Sequence, residues 1–421
     1  MSNSLAPRIE AELAALPVPV AIALPDGRRI EPAGARLRLA FSRWSSVAKL
    51  AARQIGSVAE DYVEGLVQIE GAMRDLMQAA AALMPGQPVQ TQTGWWSRLL
   101  RDAKSRGAHT RQRDSEQIQF HYDVSDDFYA LWLDPRRVYS CAYFREPSLD
   151  IAQAQAAKLD HICRKLRLQP GERFLDIGCG WGALLLWAAE HYGVDATGIT
   201  LSQNQHAHVE ALIAERGLGD RVRVKLMDYR ELEGSMVFDK IASVGMFEHV
   251  GHVQMPHYFR GVAQLLVPGG LTLQHGITAG ALAHQQLGAG MGDFIEKYIF
   301  PGGELMHVSS VLQDIARAGL EMVDTENLRP HYARTLWAWS DALEAQLAPA
   351  LAVLQKTAGA ERAERILRAY RLYLSGCAMS FEQGWISLHQ MLCARPDGQV
   401  HAHGMRGAQT DYPFTRDYIY N

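Results

Sequence analysis

From Arg173 to Ile277 the chain alternates short β-branched runs with helical stretches: RFLDI, ALLLWAAEHY, VDATGIT, QNQHAHVEALIAERG, VRVKLM, FDKIASVG, HYFRGVAQLL and LTLQHGI. Such alternation is compatible with few folds. It predicts an α/β, Rossmann-like, doubly wound parallel sheet. In that architecture a ligand sits outside the carboxyl ends of the strands. The first strand runs into Leu175-Asp176-Ile177-Gly178-Cys179-Gly180-Trp181-Gly182 and then opens a helix. Glycines at such a junction let the backbone turn tightly and approach a ligand.

The identity of that ligand is weighed residue by residue. Gly178-x-Gly180-x-x-Ala183 fits a dinucleotide fingerprint, which keeps an NAD-dependent reading in play. Two features tilt against it. Asp176 precedes the glycines, where a carboxylate repels a pyrophosphate but suits a cationic amino-acid group, and the second strand ends in Thr200-Leu201-Ser-Gln-Asn-Gln205 with no ribose-binding acid. Asp228-Tyr229 closes the third strand, where a carboxylate can accept adenine amino hydrogens and an aromatic ring can flank the base. Taken singly, each is as well explained by a turn glycine or a capping Asp. Three stations in order favour an uncharged nucleoside carrying a sulfonium and an α-amino group, S-adenosylmethionine.

Composition sets the outer limits. The 421 residues carry 42 Lys+Arg against 46 Asp+Glu, with 48% apolar and 21% charged residues. That balance excludes disordered, collagen-like and coiled-coil classes. A formal charge of −4 argues against nucleic-acid binding through bulk charge. No apolar run approaches the ~20 residues that span a bilayer, and MSNSLAPRIEAEL lacks an apolar leader core, so a cytoplasmic protein is expected. The cysteines, Cys141, Cys163, Cys179, Cys377 and Cys393, are irregularly spaced with no CxxC pair, and are expected as reduced thiols. The 16 histidines form no HExxH motif, so no metal site is expected.

The first stretch differs from the rest. VAIALPDGRR reads as a strand with a turn, and about Ala35 to Met84 reads as helical, giving a small, mainly helical N-terminal domain. The segment from Pro85 to Gly94 is the linker, so the division falls into 1–115 and 116–421. Trp95-Trp96-Ser-Arg98-Leu99-Leu100-Arg101-Asp-Ala-Lys104-Ser-Arg106 then sets aromatic and apolar residues beside cations. Such a segment can lie at a lipid interface, although a linker helix packed on the protein body has the same composition.

Longer strings add a resemblance. Phe120-His121-Tyr122-Asp123-Val-Ser-Asp-Asp-Phe128-Tyr129, then Leu133-Asp134-Pro135 followed by Tyr139-Ser140-Cys141-Ala142-Tyr143-Phe144, then Val244-Gly245-Met246-Phe247-Glu248-His249-Val250-Gly251, then Lys297-Tyr298-Ile299-Phe300-Pro301-Gly302, stand in order. They resemble the cyclopropane-fatty-acyl-phospholipid synthase family of class I methyltransferases, over about residues 118 to 393. The resemblance implies transfer of a methylene from S-adenosylmethionine to the cis double bond of an unsaturated phospholipid. It implies bicarbonate as base, cradled by Cys141, Glu248, His275, Ile277 and Tyr332. In this reading Glu248 is protonated or hydrogen-bonded through His275, while the Tyr332 hydroxyl and the Ile277 amide donate to the anion. Tyr139 and Ser140 close over the methionine end of the cofactor, with Gly178, Gly180 and Gly182 beneath it. Cys377 in SGCAMSF matches a family cysteine and is taken as a pocket-lining candidate. The resemblance also implies peripheral membrane association and a homodimer. The stretches Met291 to Phe300 and Leu336-Trp337-Ala-Trp339 are expected to wall an acyl-chain tunnel.

Overall fold

The computed structural model describes residues 10–84, 125–280, 282, 290–300, 303–397, 413 and 415–420. The linker, the Trp95 to Arg106 segment, Phe120 to Asp123 and the Pro301-Gly302 pair lie outside the described residues. The chain divides into two compact units, Met1–Thr91 with Gln285–Pro301 and Leu336–Trp385, and Gln92–His284 with Gly302–Thr335 and Ile386–Asn421. The first unit is therefore completed by two later segments and is not the N-terminal stretch alone.

In the second unit the alternation folds as expected. Strands β5 (Arg173–Ile177), β6 (Asp195–Thr200), β7 (Val222–Leu226), β8 (Phe238–Val244) and β9 (Leu266–Ala279) pair in parallel. Two further strands, β10 (Glu321–Asn327) and β11 (Ile386–Ala394), extend the sheet antiparallel, in the order β10-β11-β9-β8-β5-β6-β7. Successive β5 residues serve opposite faces, as the two-residue strand period requires. Phe174 joins the core under the helices Ile151–Lys165, Ala183–Tyr192 and Gln203–Glu215, whereas Leu175 and Ile177 join the core under Met255–Leu265 and Val308–Arg317. Apolar cover on both faces leaves the strand ends as the place for a ligand.

The first unit carries more strand than its sequence suggests. VAIALPDGRR forms β1 (Val20–Ala23) and β2 (Arg29–Ile30), turning through Gly27 at φ +86°. Within the region read as helical lie β3 (Leu37–Phe41) and β4 (Val67–Glu70), completing a sheet of order β2-β1-β3-β4. Five and four residues long, these strands bury only alternate side chains, too little pattern to stand out beside the helices Trp44–Ala51, Ile55–Val63 and Met73–Leu83. Arg371, on the helix Ala360–Glu382, ties the unit together. It donates to both Glu344 carboxylate oxygens at 2.6 and 2.8 Å and to the Tyr62 hydroxyl at 2.7 Å. Among the described residues no helix is long and apolar enough to cross a membrane.

One charged cluster braces the second unit behind the sheet. Lys165, fully buried, donates to Glu326 at 2.6 Å, and the same carboxylate meets His161 at 2.7 Å. Burial works against the Glu326 charge, but the His161 hydrogen bond and the Lys165 charge outweigh it and hold the carboxyl down at about 2. Tyr143 stacks on His161 at 4.1 Å, which anchors the loop that runs back to Cys141. Replacing Glu326 by Gln leaves the buried Lys165 ammonium to the longer contact with Asp324 at 3.6 Å, and the expected cost is ~2 kcal/mol. Urea denaturation of Glu326→Gln checks this; a loss below ~1 kcal/mol is the result that contradicts it.

Candidate active site

The strand ends of β5, β6, β7 and β8 open into one cavity. Its wall includes Tyr139, Ser140, Asp176, Gly178, Gly180, Thr200, Leu201, Gln205, Asp228 and Tyr229, so the stations marked in the sequence converge. The glycine loop is shaped by its backbone: Gly178 and Gly180 sit at φ +78° and +54°, where a side chain is disfavoured. Gly182 is the exception among the marked glycines. It is not among the lining residues, and a Cβ there would meet Val209 at 2.8 Å, so it serves close packing of the helix Gln203–Glu215 rather than ligand contact. Thr200 donates its hydroxyl to Gln205 Oε1 at 2.8 Å, fixing the end of β6. Asp228 is engaged by its neighbour, with Arg230 donating to Oδ1 and Oδ2 at 2.8 and 2.6 Å. The carboxylate is thereby oriented, and its remaining lone pairs are what it can offer an adenine amino group.

Asp176 lies at the base of the cavity, 2% exposed, and burial pushes its carboxyl up to about 7 against the opposing charge of Lys158. Lys158 itself lines the cavity and was not marked by the sequence. It is one lysine in an otherwise ordinary amphipathic helix, Ile151–Lys165, with no motif to single it out. Arg137, Met246 and His249 also line the wall unannounced.

Beside this cavity the structure builds a second cluster. β8 and β9 pair with Val244 opposite His275, and Gly245, a cavity residue, donates its amide to the His275 carbonyl at 2.8 Å. Glu248 follows in the short turn Phe247–His249, and its Oε1 accepts the Ile277 amide at 2.7 Å. That corrects one expectation: the Ile277 amide hydrogen is committed to the carboxylate instead of a bound anion, because the turn after β8 brings Glu248 alongside β9. Gly276 makes the approach possible, since a Cβ there would lie 3.0 Å from Glu248 Oε2. Burial pushes the Glu248 carboxyl up to about 7.

His275 is 1% exposed, and burial drives its pKa well below the ordinary histidine range, so the ring is neutral. Across the β9–β11 register His275 faces Gln390, whose Nε2 donates to His275 Nδ1 at 3.1 Å. The hydrogen of the neutral ring is then on Nε2. Glu248 is thus not held through His275, as expected, but through Ile277, while Gln390 holds the histidine. Two atoms of this cluster, Glu248 Oε2 and His275 Nε2, are buried with no hydrogen-bond partner.

Cys141 and Tyr332 are tied to one another, and through Leu328 to the β11 neighbour of Ile277. Cys141 is fully buried, with its Sγ donating to the Ala142 carbonyl at 3.2 Å and lying 3.9 Å from the Leu328 carbonyl. Burial raises its pKa far above the usual thiol range, which makes it a neutral thiol and not a nucleophilic thiolate. Thr335 receives the Ala142 amide at 3.0 Å and so pins the cysteine loop to the helix Arg329–Glu344, which carries Tyr332. Leu328 in turn donates its amide to the Leu388 carbonyl at 2.8 Å, and Leu388 pairs with Ile277.

Cys377 belongs to the first unit, on the helix Ala360–Glu382, with its thiol pushed up to about 12 by burial. The aromatic segments expected to wall a tunnel also belong to the first unit and are engaged there. Trp337 lies under the Arg74 guanidinium at 4.3 Å and donates to Glu382 at 2.8 Å, and Phe294 packs on Tyr298. Among the described residues no group of three or more His, Cys, Asp or Glu side chains could hold a metal ion.

Comparison with known proteins gives this geometry a context. The family model of mycolic acid cyclopropane synthetase matches residues 109–391. A probable fatty acid methyltransferase of Pseudomonas putida is 43% identical over 363 residues, covering 85% of each chain. The cyclopropane mycolic acid synthase MmaA2 of Mycobacterium tuberculosis is 38% identical over 289 residues, covering 66% of this chain and 97% of its own. Among solved structures, the mycolic acid cyclopropane synthase CmaA1 complexed with SAH and CTAB superposes with a TM-score of 0.60 at 38% identity, over 66% of this chain and 98% of the other.

The buried carboxyl has a consequence for stability. A Glu248 pKa of about 7, against the ordinary glutamate value of 4.5, means that the folded protein holds a proton which the unfolded chain releases between those values. Stability is therefore fullest below about pH 4.5, falls as pH rises through 7, and levels off above, a change on the order of 3 kcal/mol from this one group. Comparing ligand-free wild type with Glu248→Gln by urea denaturation at pH 5.5 and 8 should show a visibly flatter dependence in the variant. Equal slopes would contradict the buried, protonated carboxyl.

Proposed function

Because the chain belongs to the mycolic acid cyclopropane synthetase family, we propose that it transfers a methylene from S-adenosylmethionine to the cis double bond of an unsaturated acyl chain of a phospholipid, closing a cyclopropane ring with bicarbonate as base. That it is an S-adenosylmethionine-dependent methyltransferase acting on lipid chains follows from the family; the phospholipid, the ring and the bicarbonate are our reading. One observation carries it: among the described residues Glu248 Oε2, in the turn after β8, and His275 Nε2, on the neighbouring β9, are both buried and unsatisfied. Buried polar atoms without partners call for a ligand. His275 Nε2 offers a hydrogen and Glu248 Oε2 can accept one, and a small ion with both an anionic oxygen and an O–H complements the two together. The residues present fit bicarbonate on these grounds.

When bound, the sulfonium supplies the methyl carbon to the alkene and bicarbonate takes up the proton released on ring closure. The chain's own residues do the remaining work. Asp176, at the cavity base, attracts the cationic amino-acid end of the cofactor. Ile277 fixes Glu248 through its amide, and Gln390 fixes His275 in the tautomer with hydrogen outward on Nε2. The Tyr332 hydroxyl is a further donor, and the neutral Cys141 thiol adds a weak one without competing as a nucleophile. Exclusion of water from this region preserves a carbocation long enough for loss of a proton to compete with hydration.

For access to lipid we propose that the Trp95 to Arg106 segment and the first unit address the inner face of the membrane, with two copies of the chain acting together. A second reading has support in the name of the Pseudomonas putida relative, a probable fatty acid methyltransferase. It keeps the methyl transfer and changes the fate of the cation, giving a methyl-branched, methylene or hydroxylated chain.

Incubation with unsaturated phospholipid vesicles and S-adenosylmethionine, followed by mass spectrometry and proton NMR of the lipids, tests the proposal. A gain of one CH2 with cyclopropane resonances is expected. The same gain with alkene protons retained supports the second reading, and no gain refutes both. Glu248→Gln should lower turnover by ~100-fold or more while binding of S-adenosylhomocysteine persists, the size expected for loss of a group that orients a base. Full activity in that variant would sink the anion-site assignment.

A further inference from the structure

Two lysines on the helix Ile151–Lys165 are both buried, and only one has a counter-ion. Lys165 reaches Glu326 at 2.6 Å and Asp324 at 3.6 Å. Lys158, two turns earlier and 2% exposed, donates only to the Ser140 hydroxyl, at 2.9 Å. Among the described residues no carboxylate lies within ion-pair distance of its ammonium. Asp134 and Asp176 act on it only from beyond contact distance, and a buried ammonium with no anion in contact is costly, a deficit that an anionic ligand meets. Lys158, Ser140 and Asp176 all face the same cavity.

We propose that Lys158 binds the carboxylate of the methionyl end of the cofactor, opposite Asp176, so that this pair reads the zwitterion as a whole. The assignment rests on the reading of the cavity as the S-adenosylmethionine site. Of the charged groups on that cofactor, the sulfonium and the ammonium are cations that Lys158 repels, and only the carboxylate is an anion. Asp176 has the opposite preference. Ser140, held from the Lys158 side, is left with its own hydrogen to donate to the same carboxylate. The arrangement explains why the loop Tyr139-Ser140 and the helix Ile151–Lys165 are tied at this point, with Gln155 donating to the Ser140 carbonyl at 2.8 Å as a second tie.

The test separates a ligand contact from a structural role. Calorimetric titration measures binding of S-adenosylhomocysteine and of its decarboxylated analogue, S-adenosyl-3-thiopropylamine, to the full chain. The wild type is expected to prefer the carboxylated ligand by ~10- to 100-fold, the range of one hydrogen bond to a charged group. In Lys158→Met that preference should fall to within ~3-fold, while affinity for the decarboxylated analogue changes little. Lys158→Gln provides a second neutral variant if the first does not fold. A variant that keeps the wild-type ratio overturns the proposal and leaves the cofactor site standing. A wild type that binds neither ligand overturns the cofactor reading and the proposal together.

Discussion

Asp176, Glu248, His275, Cys141 and Lys158 are all buried, and in each case burial is the largest influence on the proton. Every one of them is displaced toward its neutral form: the acids upward, the histidine downward, the thiol upward, and the lysine down to about 8. This common direction is what a low-dielectric interior imposes on groups whose burial outweighs any opposite charge nearby. It also fits the chemistry of the family, because a sulfonium reacts with a weakly nucleophilic alkene best where competing water is absent. A site tuned this way depends on ligands to complete its charge balance. The contrast with Glu326 is instructive: half-buried on β10, it has Lys165 and His161 in contact and is held ionised.

Dry polar groups are useful only if they are aimed, and the aiming is done by backbone. Glu248 is fixed by the amide of Ile277, a β9 residue, and His275 by a side chain directly opposite on β11. β9 is long because it serves two partners, parallel to β8 and antiparallel to β11, so both acid and imidazole are referred to one strand. The glycine at 276, between the histidine and the amide donor, keeps the space that Glu248 Oε2 occupies. Cys141 is referred to the same frame through Leu328 and Leu388. These ties, two through backbone groups and one through Gln390, leave Glu248 Oε2 and His275 Nε2 unspent.

What the sequence revealed follows from how locally each feature is encoded. The strands β5 to β9 were legible because each is a short β-branched run between helical patterns, and the cavity stations because they sit where those strands end. β3 and β4 were not, since each is brief and gains its meaning only from pairing across the first unit. The later segments Gln285–Pro301 and Leu336–Trp385 join the N-terminal stretch through contacts that no window of sequence contains. At the site, Cys141, Glu248, His275 and Tyr332 were carried by motifs, whereas Lys158 and Gln390 were invisible. One is a lysine in an amphipathic helix and the other a glutamine in a strand, and burial and register alone give them a role. The Ile277 amide was placed at the right point and given the wrong partner, because a motif records which residues gather and not which atom each one engages.

The pairing of a fixed donor with a carboxyl near its titration point bears on the product. If His275 carries its hydrogen on Nε2 and Glu248 has a pKa of about 7, then near neutral pH the cluster exists in two states that differ by one proton on Glu248. With Glu248 ionised, Oε2 is an acceptor that would orient the O–H of the proposed bicarbonate. With Glu248 protonated, the cluster presents two donors and weakens the basicity of whatever oxygen it holds. A cation that loses its proton promptly closes the ring; one that waits admits water or sheds a proton elsewhere. The backbone bond from Ile277 favours the ionised state against the burial that opposes it, so under the proposed function this single amide would bias the cluster toward ring closure and away from the branched and hydroxylated outcomes.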